Sequence, residues 1–187
     1  MISVIIATMY FLSLPGLLMG RSIFSIFIIY IQQSGYSYLW ANFPSFWAII
    51  SPSTLETHSL FKKIAIIIAF IILSLGLFYT IHKKIEIKGD IVCYIAIWTI
   101  YTCVLFLPNM HDRYSYLLDV FFIISIAVNR KMLFFSIIPF LSLIILYASY
   151  LFKHTVMAIE IISIFYIVNY ILYSYHLFIL KYKYGDF

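Results

Sequence analysis

Charged residues are scarce in this chain of 187 residues. Only 10% of the residues are Asp, Glu, Lys or Arg, whereas 65% are hydrophobic and the mean hydropathy is +1.06. A water-soluble domain of this length cannot bury so much apolar surface in one core, so lipid must be its solvent. The 17 Tyr and 18 Phe suit a helical membrane protein with aromatic side chains at its interfaces. The composition therefore predicts an all-α, polytopic integral membrane helix bundle.

Cysteine is also rare. Cys93 and Cys103 fall in one predicted helix, where a separation of roughly 15 Å is too long for a disulfide. The sequence contains no second cysteine pair and no paired histidine spacing of the kind that zinc sites use. It therefore indicates no metal and no other cofactor. The basic residues form no lysine-rich block, so nucleic acid is not an expected partner either.

Long apolar runs organise the chain. A membrane-spanning helix needs roughly 20 apolar residues, and the third and fourth runs are shorter than the others. The runs predict about six transmembrane helices in one membrane domain over residues 1–187. Their approximate bounds are 1–19, 60–81, 91–107, 114–129, 132–152 and 156–180.

The basic residues predict an orientation, because cytoplasmic loops carry an excess of Lys and Arg. The connections after the second, fourth and sixth runs carry Lys83, Lys84, Lys88, Arg130, Lys131, Lys181 and Lys183. The opposite side carries Arg21, Lys62, Lys63, Arg113 and Lys153. The larger first set is expected in the cytoplasm, together with both termini. The connection near residue 110 then faces outward.

Residues 20–59 are predicted to form a long connection on the outer side, too apolar for a solvated loop. Residues 23–31 are consistent with a helix in the interface, and residues 42–47 with a turn that carries aromatic anchors. Two interpretations are open. Either the connection packs over a functional part of the protein, or it only anchors the chain at the interface.

Residues 110–114 read Met-His-Asp-Arg-Tyr and form the densest polar stretch of the chain. Pro108 is expected to end the preceding helix. Asn109 is predicted to cap the next one, with Asp112 in the position of a capping box. In that interpretation Arg113 only reaches for lipid headgroups. This capping interpretation explains neither His111 nor Tyr114.

The second interpretation of this cluster is a site for an anionic ligand. Free N–H groups at a helix N-terminus favour a phosphate, and the fork of Arg113 matches phosphate oxygens. We expect His111, Asp112, Arg113 and Tyr114 to form this site. Arg21 is predicted on the same side, where a second guanidinium would grip the same lipid phosphate or pyrophosphate. For Arg21 alone, a helix-end cation without a ligand is the simpler alternative.

Acidic residues inside spanning segments are functional candidates. Asp119 is predicted two turns beyond Asp112 on the same helix face, about 10 Å deeper, with Tyr116 between them. Both are possible accessory residues of the site. The alternative for Asp119 is a structural pairing with a basic or hydroxyl group of a neighbouring helix. Glu160 is expected to be structural, with Lys153 or His154 near enough in sequence to be its partner.

These residues resemble a known family. Leu107-Pro108 followed by Met-His-Asp-Arg-Tyr resembles the Met-His-Glu-Arg-Tyr element of bacterial membrane glycosyltransferases of the GT-C type, mannosyltransferase-like proteins related to GPI mannosyltransferase 2. Upstream, Gly20-Arg21, residues 30–33 and residues 42–47 resemble the Gly-Arg, Tyr-x-x-Gln and Asn-x-Pro-x-x-Trp elements of that family. The resemblance covers about residues 14–130.

The resemblance implies an enzyme of the bacterial cytoplasmic membrane. Such an enzyme transfers a sugar from a polyprenyl-phosphate donor in cell-envelope polysaccharide or glycolipid synthesis. His111, Arg113 and Tyr114 would hold the leaving phosphate, and Asp112 stands where Glu is usual. The catalytic carboxylate of the family's first outer loop has no counterpart, so the catalytic residue is unknown.

The expected partners are membrane lipids and a polyprenyl-phosphate-linked sugar. The chain is expected to be the C-terminal portion of a longer enzyme, completed by an N-terminal half or by a partner membrane subunit. One alternative is a non-catalytic transporter or partner subunit that binds a polyprenyl-linked saccharide. A further alternative is an ion or proton pathway through Asp112 and Asp119.

Overall fold

The computed structural model describes residues 10–11, 13–22, 28, 39–50, 58–85 and 89–180. The chain divides into two compact units, Met1–Ser37 and Tyr38–Phe187. That both belong to one membrane domain stays a prediction. The Tyr-x-x-Gln element at 30–33 and the basic tail at 181–187 lie outside the described residues.

In the first unit, residues 13–18 are helical, within the first predicted apolar run. This helix stops at Gly20, whose φ of +88° lies in the left-handed region that glycine adopts without a Cβ penalty. The Arg21 N–H donates to the Gly16 carbonyl at 3.1 Å, and the Gly20 N–H donates to the Leu17 carbonyl at 3.0 Å. These two bonds form a Schellman motif. Helix termination alone thus accounts for a glycine directly before Arg21.

The described part of the second unit is all-α apart from one pair of very short strands. Its described α-helices are α1 (Phe46–Ile50), α2 (His58–His82), α3 (Asp90–Phe106), α4 (Tyr116–Val128), α5 (Leu133–Phe152) and α6 (Ile159–Tyr175). Short 3-10 turns at Asp112–Ser115 and Arg130–Met132 lead into α4 and α5. The all-α class is confirmed, and each of the last five predicted apolar runs contains a helix.

Among the described residues, three helical segments are long and apolar enough to cross a membrane: Ser59–His82, Arg130–Phe152 and Ile159–Ile179. The helices α3 and α4 have 17 and 13 residues. At 1.5 Å per residue they rise only about 25 Å and about 20 Å, less than the ~30 Å thickness of the hydrocarbon core. The structure therefore shows an all-α protein with three candidate spans.

Helix α3 is the centre of the second unit and contacts α1, α2, α4 and α6. Apart from Val92, which is 50% exposed, its residues are buried or half-buried, and apolar residues occur on all its sides. The ring of Tyr101 packs edge-on against Phe122, Tyr166 and Tyr170. These contacts tie α3 to α4 and α6 in one aromatic core. Both cysteines of α3 are free, as predicted.

Helices α2 and α5 expose most of their apolar surface. Leu60, Phe70 and Phe78 of α2 are each more than 60% exposed. Only 22% of the apolar window of α2 and 28% of that of α5 is buried inside the protein. Apolar faces of this extent need another partner than water, and lipid is the partner that the composition predicts.

Candidate functional site

The polar cluster begins where α3 ends. Leu107 leaves the helix with extended backbone, and Asn109 adopts a left-handed conformation with φ +61°. Met110–His111 then forms a short strand, β2, which pairs in parallel with β1 (Trp40–Ala41). The partners are Trp40 with Met110 and Ala41 with His111.

The first described residues of the second unit, 39–50, fold back onto this cluster. The Asn109 N–H donates to the Leu39 carbonyl at 2.8 Å, directly before the strand pair. Farther along, the Trp47 Nε1–H donates to the Phe106 carbonyl at the end of α3, at 2.7 Å. Residues 39–50 are therefore attached to Phe106 and Asn109, which precede β2, and to β2 itself.

The aromatic residues of this connection are buried in the protein. Phe43 is 1% exposed and Trp47 is 2% exposed, and the Phe43 ring packs edge-on against Tyr166 at 5.7 Å. Residues 39–50 thus pack against the helices of this unit. That the connection covers a functional part of the protein stays a prediction. The expectation of aromatic anchors at the interface is wrong for these two residues, because the Phe43 ring packs against Tyr166 of α6 and the Trp47 ring against Phe61 of α2.

Asp112, Arg113 and Tyr114 lie in one 3-10 turn, and His111 directly precedes it. His111 precedes the 3-10 turn and has extended backbone, and its ring contacts the Tyr114 ring edge-on with centroids 5.6 Å apart. Arg113 is exposed and Tyr114 is 38% exposed. Asp112 begins the turn, but its side chain lies outside what the structure describes. The half-buried His111 and the exposed Arg113 and Tyr114 are thus neighbours in the chain directly before α4, where they can donate to an anion.

The predicted capping box is wrong. His111 is the N-cap of the 3-10 turn and Ser115 that of α4, and neither makes a side-chain capping bond. Pairing with β1 keeps the backbone after Asn109 extended, so no helix starts there. The Asn109 Oδ1 is buried and has no hydrogen-bond partner among the described residues.

The prediction that Tyr116 and Asp119 share one helix face is also wrong. Tyr116 is 70% exposed, whereas Asp119 is only 5% exposed. The 3-10 turn at Asp112–Ser115 has three residues per turn and breaks the α-helical spacing. Within α4 itself, positions i and i+3 differ by about 60° around the axis, which leaves Tyr116 outside while Asp119 turns inward.

Asp119 lies in the core between α3, α4 and α6. Neither of its carboxylate oxygens has a hydrogen-bond partner among the described residues. Its charge is within electrostatic range of the hydroxyls of Tyr101 and Tyr166. The Tyr166 hydroxyl is buried and likewise has no hydrogen-bond partner in the described part of the chain. A hydrogen-bonded structural pairing of Asp119, one of the two interpretations, is thus not found among these residues.

A satisfied polar network lies beside this carboxylate. The Tyr101 hydroxyl donates to the Tyr166 carbonyl at 3.0 Å. The Asn169 Nδ2 donates to the Tyr101 hydroxyl at 3.1 Å and to the Phe135 carbonyl at 2.8 Å. Three helices, α3, α5 and α6, are joined in this way. Asn169 is not among the functional residues predicted from the sequence, although a single amide within a long apolar run is a recognisable signal.

Arg21 belongs to the first unit, where it is exposed and follows the helix end at Gly20. Its approach to Arg113 stays a prediction. No group of three or more His, Cys, Asp or Glu that could hold a metal ion occurs among the described residues.

Over the described residues, the fold is that of an all-α protein with three helices able to span a membrane. Comparison of the chain with protein-family models, with curated proteins and with solved structures found no match.

Proposed function

We propose that this chain is the donor-binding part of a GT-C-like glycosyltransferase of the bacterial cytoplasmic membrane. The full enzyme transfers a sugar from a polyprenyl phosphate in the synthesis of a cell-envelope polysaccharide or glycolipid. One observation carries the proposal. The Asn-Phe-Pro-Ser-Phe-Trp element at 42–47 and the Met-His-Asp-Arg-Tyr element at 110–114 are distant in sequence, yet β1–β2 pairing brings their segments together.

In this proposal about six helices cross the membrane, including the short α3 and α4. Both termini are cytoplasmic, and the polar cluster faces outward. Because α3 and α4 rise only about 25 Å and about 20 Å, the turn that joins them lies slightly below the outer membrane face. The exposed Arg113 and Tyr114 then reach the depth of lipid phosphates by snorkelling. The short helices thus support the proposal that the cluster binds the headgroup of a prenyl lipid.

The proposed chemistry is an inverting displacement. The acceptor hydroxyl oxygen attacks the anomeric carbon of the sugar, and the bond from that carbon to the phosphate oxygen breaks. The bonding electron pair stays on the phosphate, and the hydroxyl proton goes to a base outside the residues discussed here. Donors from His111, Arg113 and Tyr114 stabilise the negative charge that develops on the leaving phosphate. Asp112 belongs to the same proposed phosphate site, and Asp119 is an accessory residue.

Photocrosslinking tests the phosphate site on the chain as it stands. The purified chain in lipid nanodiscs is exposed to a radiolabelled, photoreactive polyprenyl phosphate. We expect Arg113→Ala to reduce labelling by about tenfold, the effect of losing a charge-assisted pair. Arg113→Lys should also label poorly, because a point charge cannot replace the guanidinium fork.

Arg130→Ala is the matched control. Arg130 is also an exposed arginine in a 3-10 turn that leads into a long helix, but it is on the predicted cytoplasmic side. Its substitution should leave labelling unchanged. Equal labelling of the wild-type chain and the Arg113→Ala variant would refute the phosphate role.

The second candidate is a non-catalytic transporter or partner subunit for a polyprenyl-linked saccharide. It is favoured by the lack of a sequence counterpart to the family's outer-loop carboxylate. Both candidates predict the same labelling. Sugar transfer from a radiolabelled donor by membranes that contain the chain and its genomic neighbours, and loss of that transfer in Arg113→Ala, would identify the enzyme.

A further inference from the structure

A cavity of about 930 Å³ lies within the second unit, beside the strand pair. It is formed by the end of α5, the connection to α6, the start of α6 and the β1 segment. Trp40 and Asn42 line it from the β1 side. Its volume is typical of cavities that bind small organic molecules. Because Trp40 is also the strand partner of Met110, the cavity adjoins the polar cluster through a direct backbone link.

Two lining residues have an unfavourable backbone conformation. Asn42 has φ +50° and Lys153 has φ +52°, a region that costs energy for residues other than glycine. Lys153 ends α5 at a position where glycine is usual. Glycine would relieve the strain but would remove an amide and an ammonium group from the cavity. The chain keeps polar side chains at both strained positions.

The positive and negative charges of the lining side chains balance. Among the described residues, Lys153 and Glu160 are the charged members, one of each sign. Such a lining has no excess positive charge for a phosphate, in contrast to the turn that carries Arg113. Asn42 and Ser149 add neutral hydrogen-bonding groups, and Tyr150 adds an aromatic ring.

We propose that this cavity binds a neutral saccharide. Trp40 and Tyr150 line the cavity, and the negative face of an aromatic ring attracts the weakly positive C–H groups on one face of a sugar ring. Asn42, Lys153 and Glu160 supply donors and acceptors for sugar hydroxyls. The assignment as the sugar subsite beside a phosphate subsite rests on the proposed function, whereas saccharide binding itself rests on the lining alone.

Ligand-observed NMR tests the proposal with the chain in lipid nanodiscs that contain no glycoside detergent. The probes are methyl α-mannopyranoside, methyl β-glucopyranoside, methyl β-galactopyranoside and, as the anion, inorganic phosphate. We expect saturation transfer from the protein to at least one glycoside. Its dissociation constant should rise about tenfold, the equivalent of one good contact, in Tyr150→Ala and in Glu160→Gln.

Tyr147→Ala is the matched control for Tyr150→Ala. Both tyrosines lie on α5 and are exposed, 48% and 77% respectively, but only Tyr150 lines the cavity. Binding should be unchanged in the Tyr147 variant. Binding of none of the glycosides, equal binding by all variants, or displacement of the bound glycoside by inorganic phosphate would overturn the proposal.

Arg113→Ala separates this inference from the proposed function. The variant should lose polyprenyl-phosphate labelling and keep glycoside binding. Loss of labelling without any glycoside binding in the wild-type chain would refute the saccharide cavity alone. Glycoside binding with labelling that does not depend on Arg113 would refute the phosphate site alone.

Discussion

At the scale of single residues, Asp119 and Asn169 form an instructive pair. Both are buried polar residues, 5% and 4% exposed. The Asn169 amide makes two hydrogen bonds, to the Tyr101 hydroxyl and the Phe135 carbonyl, whereas the Asp119 carboxylate makes none among the described residues. A satisfied polar group stabilises a core, and an unsatisfied one costs free energy.

This difference predicts opposite effects of substitution. Asp119→Asn should raise the free energy of unfolding by about 1–3 kcal/mol, because it removes a buried carboxylate that lacks hydrogen bonds. Asn169→Leu should lower it by about 1–3 kcal/mol, because two acceptors lose their donor. Denaturation of the two variants in mixed micelles measures both changes. A destabilised Asp119→Asn protein would mean that the carboxylate is structural.

Gly76 is a second residue of interest, because its lack of a side chain determines how closely two helices pack. A Cβ at this position of α2 would overlap the ring of Trp98 on α3. That ring is held in place from the other side, because its Nε1–H donates to the Ser174 hydroxyl at 3.0 Å. Glycine thus permits the close approach of α2 and α3, as small residues do in membrane helix pairs.

Gly76→Ala should therefore destabilise the protein by about 1–3 kcal/mol, the usual cost of overpacking. This cost exceeds the ~1 kcal/mol that alanine gains over glycine in a helix. Gly16→Ala is the control, since its nearest neighbour would be the Arg21 Cδ at 3.9 Å. That variant should be neutral or more stable, as measured in the same denaturation experiment. A neutral Gly76→Ala would disprove the close helix contact.

At the scale of elements, the β1–β2 pair decides where the outer connection lies. Two residues per strand are too few for a periodic pattern, and nearly 70 residues of chain separate the partners. Local sequence patterns do not predict such a pairing. The apolar character of residues 20–59 does predict that this connection packs over another part of the protein, because it does not suit a solvated loop.

Disulfide formation tests the register of this pair. In a variant without Cys93 and Cys103, cysteines at positions 40 and 110 should crosslink on mild oxidation, because these residues are direct strand partners. Cysteines at 40 and 111 should crosslink poorly, since a shift of one residue turns the side chain to the opposite face. Equal crosslinking of both pairs, measured by mass spectrometry, would contradict the register.

At the scale of the whole molecule, the orientation in the membrane is the main open prediction. The described helix α5 separates Lys131 and His154 by a length sufficient to cross the bilayer. The positive-inside rule places Lys131 in the cytoplasm and His154 outside. The cavity and the polar cluster then share the outer side, where the acceptor and the prenyl headgroup would meet.

Labelling of single cysteines checks this orientation. In the cysteine-free background, His154→Cys should react with a membrane-impermeant maleimide in intact cells. Lys131→Cys should react only after the membrane is permeabilised. Both sites are exposed in the structure, so their reactivity reports the side of the membrane. The reverse pattern, or reaction of both sites in intact cells, would disprove the predicted topology.

The sequence by itself determined the helices of this protein. In lipid the backbone must satisfy its hydrogen bonds within each segment, so a long apolar run has little choice but to form a helix. The helices α2 to α6 therefore overlap the last five predicted runs, whereas the short α1 lies in none of them, and the polar cluster falls between α3 and α4 as expected. The all-α class follows from the same reasoning.

Only the tertiary structure decided which residues from distant parts of the chain meet and which are buried. It placed Ala41 beside His111, turned Asp119 into the core, left Tyr116 outside and formed the cavity next to Trp40. These features depend on contacts between residues far apart in the chain and on a 3-10 turn that changes the helical phase. No local pattern carries that information, because side-chain neighbours across helices are set by packing as a whole.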